Sequence, residues 1–435
     1  MRYLFNFLYL ALIALASPKL LYRVIAHGKY RRGWLEKLFG LVPRRSGDGP
    51  CVWFHAVSVG EVNLLVPLLV EITRRQPGWR CVMSTTTATG FATAQKKYPS
   101  LTVFYCPLDF TWAVAAAMRR IRPTCLVLAE LELWPNLIAA ARRSNARVAV
   151  VNGRLSERSF NGYRRMRRLI ARTLSRLELL AVQNDEYAER FLMLGAAPGT
   201  VCVTGSMKFD GAQTDRQNAA TVRLRRLAGI VDGDVVFLAG STQEGEEQAA
   251  LSAYDALAGE HPALRLLVVP RHPERFDAVA ALLDRSGFDW QRRSRLDEEG
   301  ARPAARVLLV DTIGELGAWW GTADIAFVGG SLGNRGGQNM IEPAAYGAAV
   351  CFGPNTRNFR DIVEQMLSGR AAAVVADAGE LTEFVRRCLT DRSFAEALGQ
   401  RARRLVLSQL GATDRTFELL SPLVDICCSH SACAA

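Results

Sequence analysis

Short apolar runs alternate with stretches of helical periodicity along most of the chain beyond residue 50. In the first half these runs predict seven strands, at residues 51–57, 81–85, 102–105, 125–129, 147–151, 179–182 and 201–203. In the second half they predict six more, at 235–239, 264–269, 306–310, 325–328, 349–352 and 373–375. Because strands that are apolar throughout are typical of sheets buried on both faces, we predict parallel sheets covered by helices.

The polar segment 209–218 has no periodic pattern and separates the two sets of strands. We therefore predict an α/β protein with two Rossmann-like domains that face a cleft, the first spanning residues 33–210 and the second 221–425. Helices at 381–388 and 394–407 are expected to close the structure. Glycosyltransferases and some epimerases share this architecture, so the fold alone does not choose a function.

Ahead of the first domain, residues 3–16 are almost wholly apolar. This run of about 14 residues is shorter than the ~20 that span a bilayer. Five basic residues follow it: Lys19, Arg23, Lys29, Arg31 and Arg32. We predict that residues 1–32 are a membrane anchor with a basic juxtamembrane segment, which either spans a membrane or lies in its interface, with the body on the cytoplasmic face. A cleaved signal peptide and an ordinary apolar first helix are the alternatives.

Charge and composition narrow the class of partner. The 435 residues carry a formal charge of +12, which suits an anionic partner such as nucleic acid, a phospholipid surface or a phosphorylated substrate. Seven arginines crowd one helical stretch and are expected either to meet phosphates or to form a solvated face: Arg158, Arg164, Arg165, Arg167, Arg168, Arg172 and Arg176. No nucleic-acid motif accompanies them. The ten cysteines form no CxxC pair and no histidine cluster is present, so neither a metal nor another cofactor is expected.

Charged residues follow several predicted strands of the first half, at the sheet edge where α/β proteins place ligands. Glu61 ends the run FHAVSVGE, just after a strand, where it either takes a proton from a hydroxyl or complements the positive end of its helix. Glu130 and Glu132 follow the strand that ends at residue 129, and Lys208 lies in GSMKFD. These last three either act on a reacting group or form a structural ion pair.

The second half carries a predicted nucleotide site. Glycine-rich turns in VGGSL and GGQNMIEP follow a strand, and their backbone amides are expected to hold a phosphate. Glu342, just beyond them, is placed to accept hydrogen bonds from ribose hydroxyls, unless it and Asn339 only cap a helix. The amides of GSTQEGEE offer a second phosphate site. Arg271 in PRHPERF is expected to meet a phosphate or a base edge, or to form a surface ion pair.

Taken together these segments resemble the Kdo transferases of Gram-negative bacteria, which move 3-deoxy-manno-octulosonic acid from its CMP-activated form onto the lipid A precursor. FHAVSVGE, ELWPNL, NGRLSERS, GSMKFD, PRHPERF, DTIGEL and FVGGSL occur in family order. The resemblance implies a GT-B fold, CMP-Kdo as donor, the lipid A precursor as acceptor, and Glu61 as catalytic base. Glu132 and Lys208 would stabilise the transition state. The resemblance also places the CMP contacts at Pro270, Arg271, Ile313, Gly314, Glu315, Asn339, Met340, Ile341 and Glu342.

Two alternatives stay open. A related transferase that uses another nucleotide sugar, such as a UDP-sugar, fits the same fold, since only the resemblance favours CMP. A membrane-tethered nucleic-acid-binding protein would also exploit the positive charge, but no motif supports it. We therefore expect inner-membrane phospholipids among the partners and no nucleic acid.

Overall fold

A computed structural model describes Asn6 and residues 33–431, with side chains to residue 425. The chain forms two compact units. Unit 1 contains the residues up to Asp210 together with those from Gln409 onward, and unit 2 is Gly211–Ser408. The prediction of two α/β domains with parallel sheets is confirmed.

Unit 1 contains a seven-stranded parallel sheet in the order β3-β2-β1-β4-β5-β6-β7. Its strands are β1 (Cys51–His55), β2 (Arg80–Thr85), β3 (Thr102–Tyr105), β4 (Cys125–Ala129), β5 (Arg147–Gly153), β6 (Leu179–Val182) and β7 (Val201–Val203). Every residue of β1 and β4 is buried, because both lie in the middle of the sheet under helices on both faces. Strands β2 and β3 lie on one side of β1, and β4 to β7 lie on the other, so the strand order switches between β1 and β4. The loops after β1 and β4 carry the predicted catalytic glutamates.

The helices of unit 1 cover both faces of this sheet, and two separate hydrophobic clusters fill the layers between them. They are α1 (Trp34–Phe39), α2 (Val59–Leu64), α3 (Val66–Arg75), α4 (Ala88–Lys97), α5 (Thr111–Ile121), α6 (Pro135–Arg143), α7 (Glu157–Arg164), α8 (Arg167–Leu174) and α9 (Asp185–Met193).

Unit 2 also contains a seven-stranded parallel sheet, in the order β10-β11-β9-β8-β12-β13-β14. Its strands are β8 (Val235–Thr242), β9 (Leu264–Pro270), β10 (Trp290–Arg292), β11 (Val307–Leu309), β12 (Ile325–Val328), β13 (Ala349–Phe352) and β14 (Ala373–Val374). After β8 the chain adds strands on one side of the sheet, and from β12 it adds them on the other. Open α/β sheets bind ligands at the carboxyl ends of the strands beside such a switch point.

The helices from unit 2 onward are α10 (Ala219–Leu227), α11 (Glu246–Ala258), α12 (Phe276–Asp284), α13 (Leu296–Glu299), α14 (Leu316–Trp319), α15 (Ile341–Ala345), α16 (Arg360–Ser368), α17 (Ala378–Thr390), α18 (Arg392–Gln409) and α19 (Ala412–Ser431). A single hydrophobic cluster joins α11, α12 and α17 to the sheet.

The end of the chain corrects the predicted domain boundary. The second domain was predicted to run to residue 425, but the chain from Gln409 belongs to unit 1. Phe417 of α19 is buried and stacks on Trp79, with ring centroids 6.2 Å apart. Asp210 accepts hydrogen bonds from two backbone N–H groups at the start of this segment. Burial of the apolar face of α19 against unit 1 therefore decides where this helix lies.

One further difference from the predictions is local, and one predicted segment is not described. The edge strand β10 (Trp290–Arg292) was not predicted, since its sequence WQR has no apolar run. Glu61 itself lies in the first of two consecutive helices, α2 and α3, which meet at Leu65. The predicted anchor, residues 1–32, lies outside the described residues except for Asn6, whose side chain hydrogen-bonds to Thr111. In the described part of the chain, no helix is long and apolar enough to cross a membrane.

Candidate active site

Glu61 is held at the strand-to-helix turn that follows β1. Ser58 caps α2 and accepts a hydrogen bond from the Glu61 N–H (3.3 Å), while its hydroxyl donates to Glu61 Oε1 (2.9 Å). The Val57 N–H donates to Oε2 (2.8 Å). This resembles a capping box, written in the sequence as SVGE, except that the Glu61 carboxylate accepts from the N–H of Val57, the residue before the cap, and from the Ser58 hydroxyl. The capping alternative is thus correct as geometry, and it fixes the carboxylate in one place.

The environment of Glu61 changes its protonation. Burial raises the pKa of the Glu61 carboxyl to about 7, against the lowering effect of the Val57 N–H and the Ser58 hydroxyl. The nearby carboxylates Glu132 and Glu130 add to the rise. A carboxyl group with a pKa near neutrality suits a general base, because it is partly deprotonated and still basic enough to take a proton.

Glu132 lies near Glu61 and is held by an aromatic residue. Trp134 Nε1 donates to Glu132 Oε2 (2.7 Å), and burial raises the pKa of the Glu132 carboxyl. The Trp134 ring meets the edge of His55 at 5.6 Å between centroids. His55 is fully buried, which lowers its pKa to about 4, and its Nδ1 is 2.9 Å from Ser84 Oγ. A neutral imidazole therefore packs against Trp134, the residue that holds Glu132.

Lys208 pairs with Glu130 and not with Glu132. The Lys208 ammonium lies 3.0 Å from Glu130 Oε1, and Arg154 Nε lies 2.8 Å from Glu130 Oε2. Glu130 adopts a left-handed backbone conformation (φ +53°), which is unusual for a residue other than glycine. Such strain clusters at functional sites, where the surrounding contacts hold it. The ion pair that the sequence left open is present, and two cations flank one carboxylate.

The loop that carries Lys208 is fixed to the end of β5. Asn152 Oδ1 accepts a hydrogen bond from the Met207 N–H (2.9 Å), and Gln183 Nε2 donates to the Asn152 carbonyl (3.0 Å). Asn152 is itself buried and left-handed (φ +54°). The motifs NGRLSERS and GSMKFD therefore supply Arg154 and Lys208 to the same carboxylate.

In unit 2 the glycine-rich turns are already occupied by a side chain. Glu246, at the start of α11, is 2% exposed. Its carboxylate accepts hydrogen bonds from four backbone N–H groups, those of Gln243 (2.8 Å), Gly330 (2.7 Å), Ser331 (2.9 Å) and Leu332 (2.9 Å). The expectation that the amides of VGGSL hold a phosphate is wrong, because the protein's own carboxylate fills that anion site. For the amides of GGQNMIEP the expectation stays a prediction.

Glu247, the next residue, is also buried and holds the PRHPERF loop. Arg275 donates to both carboxylate oxygens of Glu247 (3.2 and 3.0 Å), and Thr242 Oγ1 donates to one of them (3.1 Å). Arg271 instead has an exposed side chain, and its backbone N–H donates to the Thr242 carbonyl. Of the two arginines in this loop, Arg275 is thus structural and Arg271 is available to a ligand.

Glu342 lies in the first turn of α15 and is within electrostatic reach of Arg271. Asn339 Nδ2 donates to Glu342 Oε1 (2.9 Å), and Asn339 Oδ1 accepts from the Ile341 N–H (3.1 Å). Burial raises the pKa of the Glu342 carboxyl, while Asn339 and Arg271 act against the rise. The structure therefore brings Arg271, Asn339 and Glu342 together at the switch point of the sheet.

The segment from Ile313 to Glu315 joins this edge after β11. Ile313 is 79% exposed and Gly314 is left-handed (φ +89°). Two hydrogen bonds from Arg293 (2.9 and 2.8 Å) and one from Thr312 (2.7 Å) occupy the Glu315 carboxylate. The carboxylate of Glu315 thus stabilises the turn, while the Ile313 side chain is left exposed.

Four residues with clear roles at these edges were not singled out from the sequence: His55, Arg154, Glu246 and Glu247. All four lie inside the quoted motifs, so the motifs marked the right loops. Which carboxylate bonds to which amide or cation depends on three-dimensional contacts that spacing does not reveal.

A comparison with solved structures shows the fold. The chain superimposes on a glycosyltransferase from Rickettsia africae with a TM-score of 0.52 at 12% identity, over 87% of this chain and 99% of that one. Two parallel α/β units of this kind are typical of GT-B glycosyltransferases.

Sequence relatives then define the family. A model of the 3-deoxy-D-manno-octulosonic-acid transferase family matches residues 32–211. The transferase of that name from Bordetella pertussis is 35% identical over 85% of this chain and 86% of its own length. The one from Haemophilus influenzae is 31% identical over 97% and 99%. The chain belongs to the 3-deoxy-D-manno-octulosonic acid (Kdo) transferase family, and its activity is Kdo transfer in lipopolysaccharide biosynthesis.

Proposed function

We propose that this enzyme transfers Kdo from CMP-Kdo to a sugar hydroxyl of the lipid A precursor, with inversion at the anomeric carbon. The observation that carries the proposal is Glu61, a fixed and half-buried carboxylate whose pKa of about 7 fits a general base. Glu61 would remove the proton of the acceptor hydroxyl as the hydroxyl oxygen attacks the anomeric carbon and CMP leaves.

Unit 2 is the proposed donor unit. Glu342 is assigned to the ribose hydroxyls, since Asn339 occupies one of its carboxylate oxygens and the other can accept further hydrogen bonds. Arg271 is assigned to the phosphate, because its side chain is exposed near Glu342. The remaining proposed CMP contacts are Pro270, Ile313, Gly314, Glu315, Met340 and Ile341.

We assign the stabilisation of the charge that develops during transfer to the remaining charged groups of unit 1. CMP is a good leaving group, so the protein mainly needs to position the reactants and offset charge. Lys208 and Arg154 bracket Glu130 and supply positive charge near the carboxylates. Glu132, held by Trp134, is proposed to stabilise the transition state, and Glu130 keeps the Lys208 ammonium in place.

The test is incubation of the purified enzyme with CMP-Kdo and a tetra-acylated lipid A precursor, with the products read by mass spectrometry. We expect a mass increase of one or more Kdo residues on the lipid. Parallel incubation with UDP-sugars addresses the alternative donor. Transfer from a UDP-sugar, with none from CMP-Kdo, would contradict the proposal.

We also propose that the enzyme works at the cytoplasmic face of the inner membrane. Unit 1 exposes four large apolar side chains in or beside α1, at Trp34 (42%), Leu35 (62%), Phe39 (54%) and Leu41 (45%). The arginines of α7 and α8 are mostly exposed. Burial lowers the pKa of Arg176, just beyond α8, and its like-charged neighbours lower it further. Apolar side chains and a basic surface together favour binding to anionic lipids.

Membrane fractionation at low and high salt tests this placement. Without residues 1–18, binding should fall, and the residual binding should be salt-sensitive because surface charge is screened within ~8 Å at physiological ionic strength. Full membrane association of the truncated protein at high salt would contradict the anchor.

A further inference from the structure

A pocket of about 200 Å³ in unit 2 lies outside the proposed nucleotide contacts. Two loops line it, one after β12 and one after β13, and these strands are neighbours in the sheet. Because both strands are parallel, both loops leave the same edge that carries Glu342. The lining residues are Asn334, Gly336, Pro354, Asn355, Thr356, Arg357 and Arg360.

Hydrogen bonds hold the two loops together. The Asn355 N–H donates to the Ser331 carbonyl (2.9 Å), next to the turn that Glu246 fixes. The Asn358 N–H donates to the Gly336 carbonyl (2.9 Å). Gly336 is left-handed (φ +92°), and a Cβ there would lie 2.7 Å from Arg357 Cγ, so only glycine allows this approach. The pocket is therefore a preformed feature of the two loops.

The charge of the pocket favours an anion. Arg357 and Arg360 both line it, and no lining residue is acidic. The Arg357 guanidinium is oriented by one hydrogen bond from Nη2 to the Asn334 carbonyl (2.9 Å). A guanidinium has five N–H donors in a planar fork that matches a carboxylate or a phosphate.

The pocket lies close along the chain to the proposed nucleotide site. Gly336 and Asn339 are three residues apart, so their Cα atoms lie within ~11 Å of each other. Asn339 in turn bonds to Glu342, the proposed ribose ligand. The phosphate and the sugar of a nucleotide sugar extend away from the ribose, and the sugar transferred by this family is an acid.

We propose that the pocket receives the carboxylate of the donor sugar, with Arg357 and Arg360 as its ligands. This inference rests on the proposed function, because it concerns the sugar half of the same donor. It gives the enzyme a means of selecting an acidic sugar over the neutral sugars that other nucleotide-sugar enzymes use. A charged hydrogen bond of this kind discriminates by about tenfold or more.

The experiment compares Arg357→Gln, Arg360→Gln and the double variant with wild type. Steady-state kinetics gives KM for CMP-Kdo, and calorimetry gives the affinity for CMP, which lacks the sugar. We expect KM to rise about tenfold in each single variant while CMP affinity stays at the wild-type value. Arg357→Lys should restore part of the loss, since it keeps the charge. Arg285→Gln, at an exposed arginine after α12, is the matched control and should leave both values unchanged.

Two results would overturn the assignment: an unchanged KM in the double variant, or a parallel loss of CMP affinity, which would assign the pocket to the nucleotide. Failure of the proposed function is distinguishable, because the wild-type protein itself would then neither bind CMP nor transfer Kdo. Both arginines are exposed, so their replacement is not expected to unfold the protein.

Discussion

Each unit places a glutamate at the start of a helix that follows its first strand, and the two carboxylates have opposite surroundings. Glu246 in unit 2 accepts four backbone N–H groups. Glu61 in unit 1 accepts one backbone N–H and one hydroxyl, beside two other carboxylates. Both are shielded from water, but only Glu246 has enough donors to offset the cost of burying a charge.

The number of internal donors thus separates structural from chemical carboxylates. Glu246 is a fixed anion that organises two loops, whereas the charge of Glu61 is poorly compensated and its pKa rises to about 7. Glu342 resembles Glu61, because it is half-buried with one side-chain hydrogen bond and its pKa is raised. The similar sequence positions of Glu61 and Glu246 conceal this difference.

Replacing Glu61 should give the largest effect. Glu61→Gln keeps the shape, and its amide can accept from the Val57 N–H and donate to the Ser58 oxygen, but it cannot accept a proton. We therefore expect kcat to fall ~10²–10⁴-fold with CMP affinity unchanged. Glu186→Gln, at a glutamate of α9 that is 64% exposed, is the control and should retain full activity. Near-normal turnover by folded Glu61→Gln protein would refute its assignment as the base.

Replacing Glu342 should give the next largest effect. Glu342→Ala removes a charged acceptor from the ribose hydroxyls, which should weaken CMP binding by ~1.5–3 kcal/mol. Calorimetric titration with CMP measures this loss directly. Unchanged affinity would mean that Glu342 only caps α15 together with Asn339, and the comparison with Glu61 would no longer hold.

Replacing Glu246 should give a smaller effect on binding and a clear effect on folding. Glu246→Gln turns an NH₂ group toward backbone N–H donors, so we expect a loss of unfolding free energy of about 1–3 kcal/mol. KM for the donor should rise only severalfold, because the carboxylate acts through the loops. Glu244→Gln is the matched control, since that side chain is 92% exposed. A Glu246→Gln enzyme with wild-type stability would contradict the structural role.

The strands were the most predictable part of the molecule. Apolar runs located 13 of the 14 strands in the described part of the chain, several to the residue, because buried parallel strands are mostly apolar. The missed strand β10 lies at the sheet edge, where polar residues are tolerated. The segment from Gln409 onward was assigned to the wrong unit, because its packing against Trp79 joins residues far apart in sequence.

The candidate site was predictable at the level of loops. Strand ends marked Glu61, Glu132, Lys208 and Glu342, because function in α/β sheets concentrates at that edge. The partners were not predictable. The sequence left open which carboxylate Lys208 meets, and the structure pairs it with Glu130. Glu246 fills the amides of VGGSL, which were expected to hold a phosphate. Glycine-rich turns indicate an anion site, but they do not indicate whether the anion is a ligand or a side chain.

The pH dependence of kcat/KM for Kdo transfer tests the central claim most directly. A general base must be deprotonated, so activity should be present above the Glu61 pKa of about 7 and lost below it, by roughly tenfold per pH unit. The pH profile of the residual activity of Glu61→Gln should lack this ionisation. A profile that is flat between pH 5 and 8, or one whose ionisation near pH 7 survives in Glu61→Gln, would contradict the account.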